Sequence, residues 1–133
     1  MEFMKIDNIL LDKLTAEAQA SPRLRINLDL RNSDADSSQR MLNAIEPGSV
    51  VPIHRHQKTS ETVVVLRGRV VEEYYSSEGP VVATYDLAAG GSICALNIPA
   101  GQWHTLRALD PGTVILEMKD GPYEPIRECD ILK

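Results

Sequence analysis

Cysteine is scarce in this 133-residue chain, with only Cys94 and Cys129 present. Two unpatterned cysteines exclude a disulfide framework. Cys94 falls in an apolar strand pattern and reads as core packing, while Cys129 sits in a polar tail and reads as a free thiol. Long hydrophobic runs are also missing. Stretches such as Val63-Val-Val-Leu66 are far too short to span a bilayer, which excludes a transmembrane helix. No apolar segment follows Met1-Glu-Phe-Met-Lys5, so no secretory signal is visible and the cytoplasm is the expected setting. Positive charge is not in excess. A net charge of −5 and a pI near 5.1 argue against nucleic-acid or anionic-membrane partners. The pairs Arg23/Arg25 and Arg67/Arg69 read as solvated strand faces. There is no glycine-rich phosphate cradle, because Gly48, Gly68 and Gly101 read as turn positions. No internal repeat or linker divides the chain, and its length suits one domain with a single core.

Histidine is equally rare, and its placement is the most informative feature. All three histidines fall in two short stretches. The first runs Gly48-Ser-Val-Val-Pro-Ile-His54-Arg-His56-Gln-Lys-Thr-Ser-Glu61, and the second Pro99-Ala-Gly101-Gln-Trp-His104. On a β-strand His54 and His56, two residues apart, leave the same face. Neutral imidazoles with a carboxylate suit one divalent transition metal: zinc, iron, manganese or nickel. The expected ligands are His54, His56, Glu61 and His104, with Glu61 as direct ligand, outer partner or general base. Such a donor set leaves coordination positions open and a local charge of about +1, favouring an anionic or enolate-like ligand. With the histidines assigned to the metal, no Ser-His-Asp or Cys-His arrangement remains.

The rest of the chain is dominated by strand signals. Residues 7–20 form the one convincing helix: Ile6, Leu10, Leu14 and Ala18 recur at helical spacing, Asp7 is an N-cap, and Ser21-Pro22 stops it. From Arg23 to Leu30 the period becomes two, and residues 31–38 read as a loop. Strands are expected at about 39–45, 50–56, 61–67, 69–75, 81–87, 92–98, 103–109 and 113–119, separated by Gly- and Pro-containing turns. Many short strands at regular spacing predict a sandwich or barrel, which a double-sheet jelly roll accommodates. Glu117 and Lys119 share one strand face, opposite Leu116 and Met118. Trp103 is expected to point away from His104 and to pack near the barrel rim.

These motifs resemble those of the cupin superfamily. The first cupin motif is met at Gly48, His54, His56, Glu61 and Gly68, and the second at Pro99, Gly101 and His104, with Ala108 where an Asn is usual. The chain also resembles the small bacterial WbuC-type cupins. The carrying residues are Arg31-Asn32, Gln39-Arg40-Met-Leu-Asn43, Pro52-Ile-His-Arg-His56, Trp103-His104 and Glu117-Met-Lys119-Asp-Gly-Pro-Tyr123. The aromatic, proline-containing tail usual in that family is absent. The resemblance implies an all-β, single-domain cupin jelly-roll barrel with a short N-terminal α-helix. It divides the chain into a helix at 1–22, the jelly roll at 23–125 and a tail at 126–133. It also implies a metal-binding protein linked to surface-polysaccharide biosynthesis, and a homodimer by analogy with the cupins. It favours an inward Glu117 and Lys119, and makes Arg31, Gln39, Arg40, Asn43 and Tyr123 candidates for substrate binding. The expected activity is isomerase- or epimerase-like, on a sugar or sugar phosphate. Glu61 or Glu117 would move a proton, and Lys119 or Arg40 would hold an anionic group. Two alternatives are an iron-dependent dioxygenase and a non-catalytic small-molecule-binding or regulatory module.

Overall fold

The computed structural model describes residues 3–132. Its helix, α1 (Asn8–Ala20), starts where the Asp7 carboxylate accepts a hydrogen bond from the Leu10 N–H at 3.1 Å. It ends where the Ser21 N–H donates to the Ala18 carbonyl. The buried stripe is Leu11, Leu14 and Ala18. Ile6, expected on that stripe, lies before the helix and is exposed. Leu11 takes the position because it is one turn from Leu14 and two from Ala18.

Eight strands follow: β1 (Arg25–Asp29), β2 (Ser38–Ile45), β3 (Glu61–Arg67), β4 (Arg69–Tyr75), β5 (Val81–Ala88), β6 (Ala95–Ile98), β7 (Trp103–Ala108) and β8 (Thr113–Asp120). They form two antiparallel sheets, ordered β1-β2-β8-β3-β6 and β5-β4-β7. This is the all-β jelly roll with an N-terminal helix that the strand pattern predicted. Among the described residues no helix is long and apolar enough to cross a membrane.

Alternation along the strands divides the apolar residues into two cores. Outside the larger sheet, Leu42, Ala44 and Val114 pack against Leu11, Leu14 and Ala18 of α1. Between the sheets, Ile45, Val63, Val65, Val70, Leu87, Ile98, Leu106 and Ile115 fill one part of the interior. The same inward phase continues into polar residues. On β2 it carries Gln39 and Asn43, with apolar Met41 between them, and on β8 Glu117 and Lys119. That polar end is where the cavity lies.

The β3–β4 turn depends on Gly68. Its φ is +81°, and a Cβ there would collide with Thr113 Oγ1 and meet Thr113 Cα at 2.9 Å. Thr113 is fully buried and leaves no room. Gly68→Ala is therefore expected to destabilise the protein by about 2 kcal/mol or more, read as a lower urea midpoint at unchanged slope.

Two local expectations are corrected. Residues 50–56 do not form a strand; only His54 makes isolated bridges, to His104 and Ile131. Pro52 lacks an N–H to donate to a ladder, so the segment runs extended between two short contacts. Cys94 is exposed rather than in the core. Strand β6 starts one residue later, at Ala95, and Cys94 contributes its carbonyl, which accepts from the Val65 N–H at 2.9 Å.

Candidate metal centre and cavity

The topology brings His104 beside His54 and His56. His54 and His104 exchange backbone hydrogen bonds of 3.0 and 2.8 Å, and the Gly101 N–H donates to the His56 carbonyl at 2.8 Å. Glu61 opens β3 on the inner face, opposite Lys119 of β8. One ligand atom from each of His54, His56, Glu61 and His104 lies within 4.8 Å of every other. Glu61 Oε2 is 3.4 Å from His56 Nε2 and 3.3 Å from His104 Nε2.

The surroundings prepare these groups to bind a cation. His54 Nδ1 is 2.7 Å from the Pro52 carbonyl and His104 Nδ1 is 2.9 Å from the Gln102 carbonyl. A carbonyl only accepts, so each Nδ1 carries the proton and, in the neutral ring, Nε2 keeps its lone pair. Burial, reinforced by the His104 charge, lowers the His54 pKa to about 4 and keeps that ring neutral. Burial opposes ionisation of Glu61, but the close His104 and His56 rings and the charge of Lys119 overcome it and hold the carboxyl below the usual range. Burial also opposes protonation of His104, yet the Glu61 carboxylate 3.3 Å away raises its pKa. The buried Glu61 Oε2 has no conventional hydrogen-bond partner. Inward imidazole lone pairs facing an orphaned carboxylate oxygen fit a divalent ion.

The cluster opens onto a cavity of about 930 Å³, whose lining includes Asn27, Asn43, Leu106, Glu117 and Lys119. Burial and the nearby Glu61 charge push the Glu117 carboxyl up to about 7, partly offset by Lys119.

A family model described as a domain of unknown function, DUF6016, matches residues 6–87, more than half of the 133-residue chain. The chain belongs to the DUF6016 family. No curated protein matches it in sequence. Among solved structures, the DUF6016 chain is similar to the capsular polysaccharide assembling protein CapF from Staphylococcus aureus, with a TM-score of 0.60 and 17% identity over 75% of this chain and 30% of that one. It is similar to KdgF from Halomonas sp., with a TM-score of 0.61 and 16% identity over 77% and 84% of the two chains. It is also similar to a cupin 2 domain-containing protein from Halorhodospira halophila, with a TM-score of 0.60 and 16% identity over 77% and 68%. The chain therefore spans under a third of CapF. At these identities the likeness is one of fold, and the fold is that of the cupins.

Within this DUF6016 cavity the candidate residues separate. Glu117 and Lys119 both line it, as do Gln39, Asn43 and Tyr123. Gln39 is already engaged, donating to the Gly121 and Pro122 carbonyls at 2.9 and 3.1 Å. Asn43 is buried and its Oδ1 has no partner. Arg31 and Arg40 do not line the cavity. Asp29 grips Arg31 at 2.8–3.1 Å, with the guanidinium over the Tyr123 ring, and Asp36 takes Arg40 at 3.2 Å. Trp103 points away from His104 as expected and stacks under Arg55, 4.6 Å from ring centroid to guanidinium carbon.

Sequence reasoning missed two groups. Glu72 of β4 is fully buried, and neither carboxylate oxygen has a hydrogen-bond partner. Burial, with the Glu61 and Glu117 charges, raises its pKa to about 9. Its two-residue phase with buried Val70 was the readable signal. The second group is the 3₁₀ turn Glu128–Asp130 with Ile131 and Leu132, which lies along the histidine segment.

Proposed function

We propose that this protein is a metal-dependent enzyme of proton transfer, isomerase- or epimerase-like, acting on a small hydroxylated anion such as a sugar phosphate. The observation that carries this reading is geometric: Glu117 and Lys119 line the same cavity as the three histidines and Glu61. His54, His56, Glu61 and His104 would hold the ion. When bound, a divalent ion supplies Lewis-acid polarisation of a substrate oxygen. Glu117, a carboxyl lining the same cavity, moves a proton at a carbon beside that oxygen. Lys119 faces the cavity beside Glu61 and offers its ammonium to the anionic group. The unpartnered Asn43 Oδ1 accepts from a substrate hydroxyl.

CapF, a capsular polysaccharide assembling protein of similar fold, supports a place in surface-polysaccharide chemistry. The motifs around Gln39-Arg40 and Asp120-Gly-Pro-Tyr123 support WbuC-type membership. A cytoplasmic setting and a homodimer belong to the same proposal, the latter supported by exposed Phe3, Met4, Ile6 and Ile9.

The test is solvent exchange. Metal-loaded protein is incubated in deuterated water with a panel of sugar phosphates, and C–H exchange is read by NMR. Exchange is expected for at least one member and should fall by ~10²–10⁴-fold in Glu117→Gln. No exchange across the panel overturns the reading. Oxygen uptake seen with Fe(II) and not with Zn(II) would instead establish the dioxygenase.

A further inference from the structure

Residues 53–56 carry two of the three histidines, yet no named strand contains them. Their backbone is held from both sides instead. On one edge, His54 exchanges its two bonds with His104 of β7. On the other, the Arg55 N–H donates to the Asp130 carbonyl at 3.0 Å and the Leu132 N–H donates to the Ile53 carbonyl at 2.8 Å, around an antiparallel bridge between His54 and Ile131.

Side chains repeat the tie. Asp130 is 7% exposed, unusual for an aspartate near the end of a described chain. Its Oδ1 accepts from Arg55 Nε at 3.0 Å and from Gln57 Nε2. Those donors flank His56 in sequence. Arg55, so held, lies over Trp103, the residue before His104. Ile126, Arg127, Asp130 and Ile131 also line the cavity, so the same segment closes part of its wall.

We propose that residues 128–132 form a strap that positions His54 and His56 for the ion, with Asp130 as its positioning residue. The inference rests on the metal reading above. An extended segment bonded along one edge keeps much of its backbone freedom, and a ligand that must order it binds more weakly. The strap removes that freedom before the ion arrives. Asp130 and Leu132 both grip the histidine segment through backbone groups, and Asp130 adds its carboxylate.

The test uses the full chain and its Asp130→Ala variant. Zn(II) affinity is measured by competition with a chromophoric chelator, and amide exchange at residues 53–57 is measured on the metal-free protein. Asp130→Ala is expected to bind Zn(II) ~10–100-fold more weakly, the range for groups that hold metal ligands in place. The Arg55 amide is expected to exchange faster, while amides of β3 and β8 keep their protection. Affinity and Arg55 exchange both within twofold of the parent overturn the strap. Asp130→Asn guards against a folding failure, since it keeps the size and one accepting oxygen. Affinity nearer the parent in Asp130→Asn than in Asp130→Ala supports the strap, and parent-like affinity and Arg55 exchange in both variants overturn it. If the parent itself binds no Zn(II), the metal reading falls. The exchange data then decide the strap alone, and unchanged protection in Asp130→Ala overturns it.

Discussion

His104→Ala and His54→Ala are each expected to lose most bound metal, with affinity falling by more than ~100-fold, while the fold survives. Each removes a direct donor, and groups that merely orient such donors already cost ~10–100-fold. His104 is the more severe case because its Nε2 lies 3.3 Å from Glu61 Oε2 and it is the buried histidine of the cluster. Survival of the fold follows from where the apolar contacts are. The inner core of Ile45, Val63, Val70, Leu87 and Ile115 and the helix-covered core around Leu42 need no histidine. Metal content by mass spectrometry, with far-UV circular dichroism on the same samples, checks both halves. Unchanged metal content in both variants would refute the site.

Glu72→Gln is expected to stabilise the metal-free protein, increasingly so as pH rises. The folded-state pKa of Glu72 is about 9, raised first by burial and then by Glu61 and Glu117. In the unfolded chain it titrates near the ordinary value of about 4.3. Below that value both states are protonated and the raised pKa contributes its full share. Between about 4.3 and 9 the unfolded chain loses the proton while the folded chain keeps it, so stability is lost with rising pH. Glutamine is neutral at every pH and escapes this loss. The gain is expected to be ~1–3 kcal/mol at pH 7 and negligible at pH 4, read from urea unfolding at both. Equal stability of variant and parent at pH 7 would show that Glu72 is neither desolvated nor repelled as described.

Much of this architecture was legible in the sequence. Apolar periodicity of two located most strands within a residue or two, and the Asp7 cap and Ser21 stop bounded α1. The histidine spacing identified the cluster before any topology was known. What was not legible arose from contacts between distant segments. Residues 50–56 look like a strand locally, but Pro52 and the contacts made by His104 and Asp130 leave a single bridge pair there. Arg31 and Arg40 carry the right chemistry for an anion, yet aspartates two and four residues away in sequence engage them. Glu72 was hidden by composition, since Glu72-Glu73 next to two tyrosines reads as a solvated face until the phase with Val70 is followed inward. The segment 126–133 reads as a polar tail because its partners lie about seventy residues earlier.

The two faces of β2 and β8 serve separate purposes. Leu42, Ala44 and Val114 anchor the helix on one side, while Asn43, Glu117 and Lys119 face the cavity on the other. Foundation and cavity lining thus sit on the same strands but on alternate residues. Replacing the cavity set is expected to leave the helix-packed layer intact, so the cavity can be reshaped by substitutions two residues apart without rebuilding the scaffold.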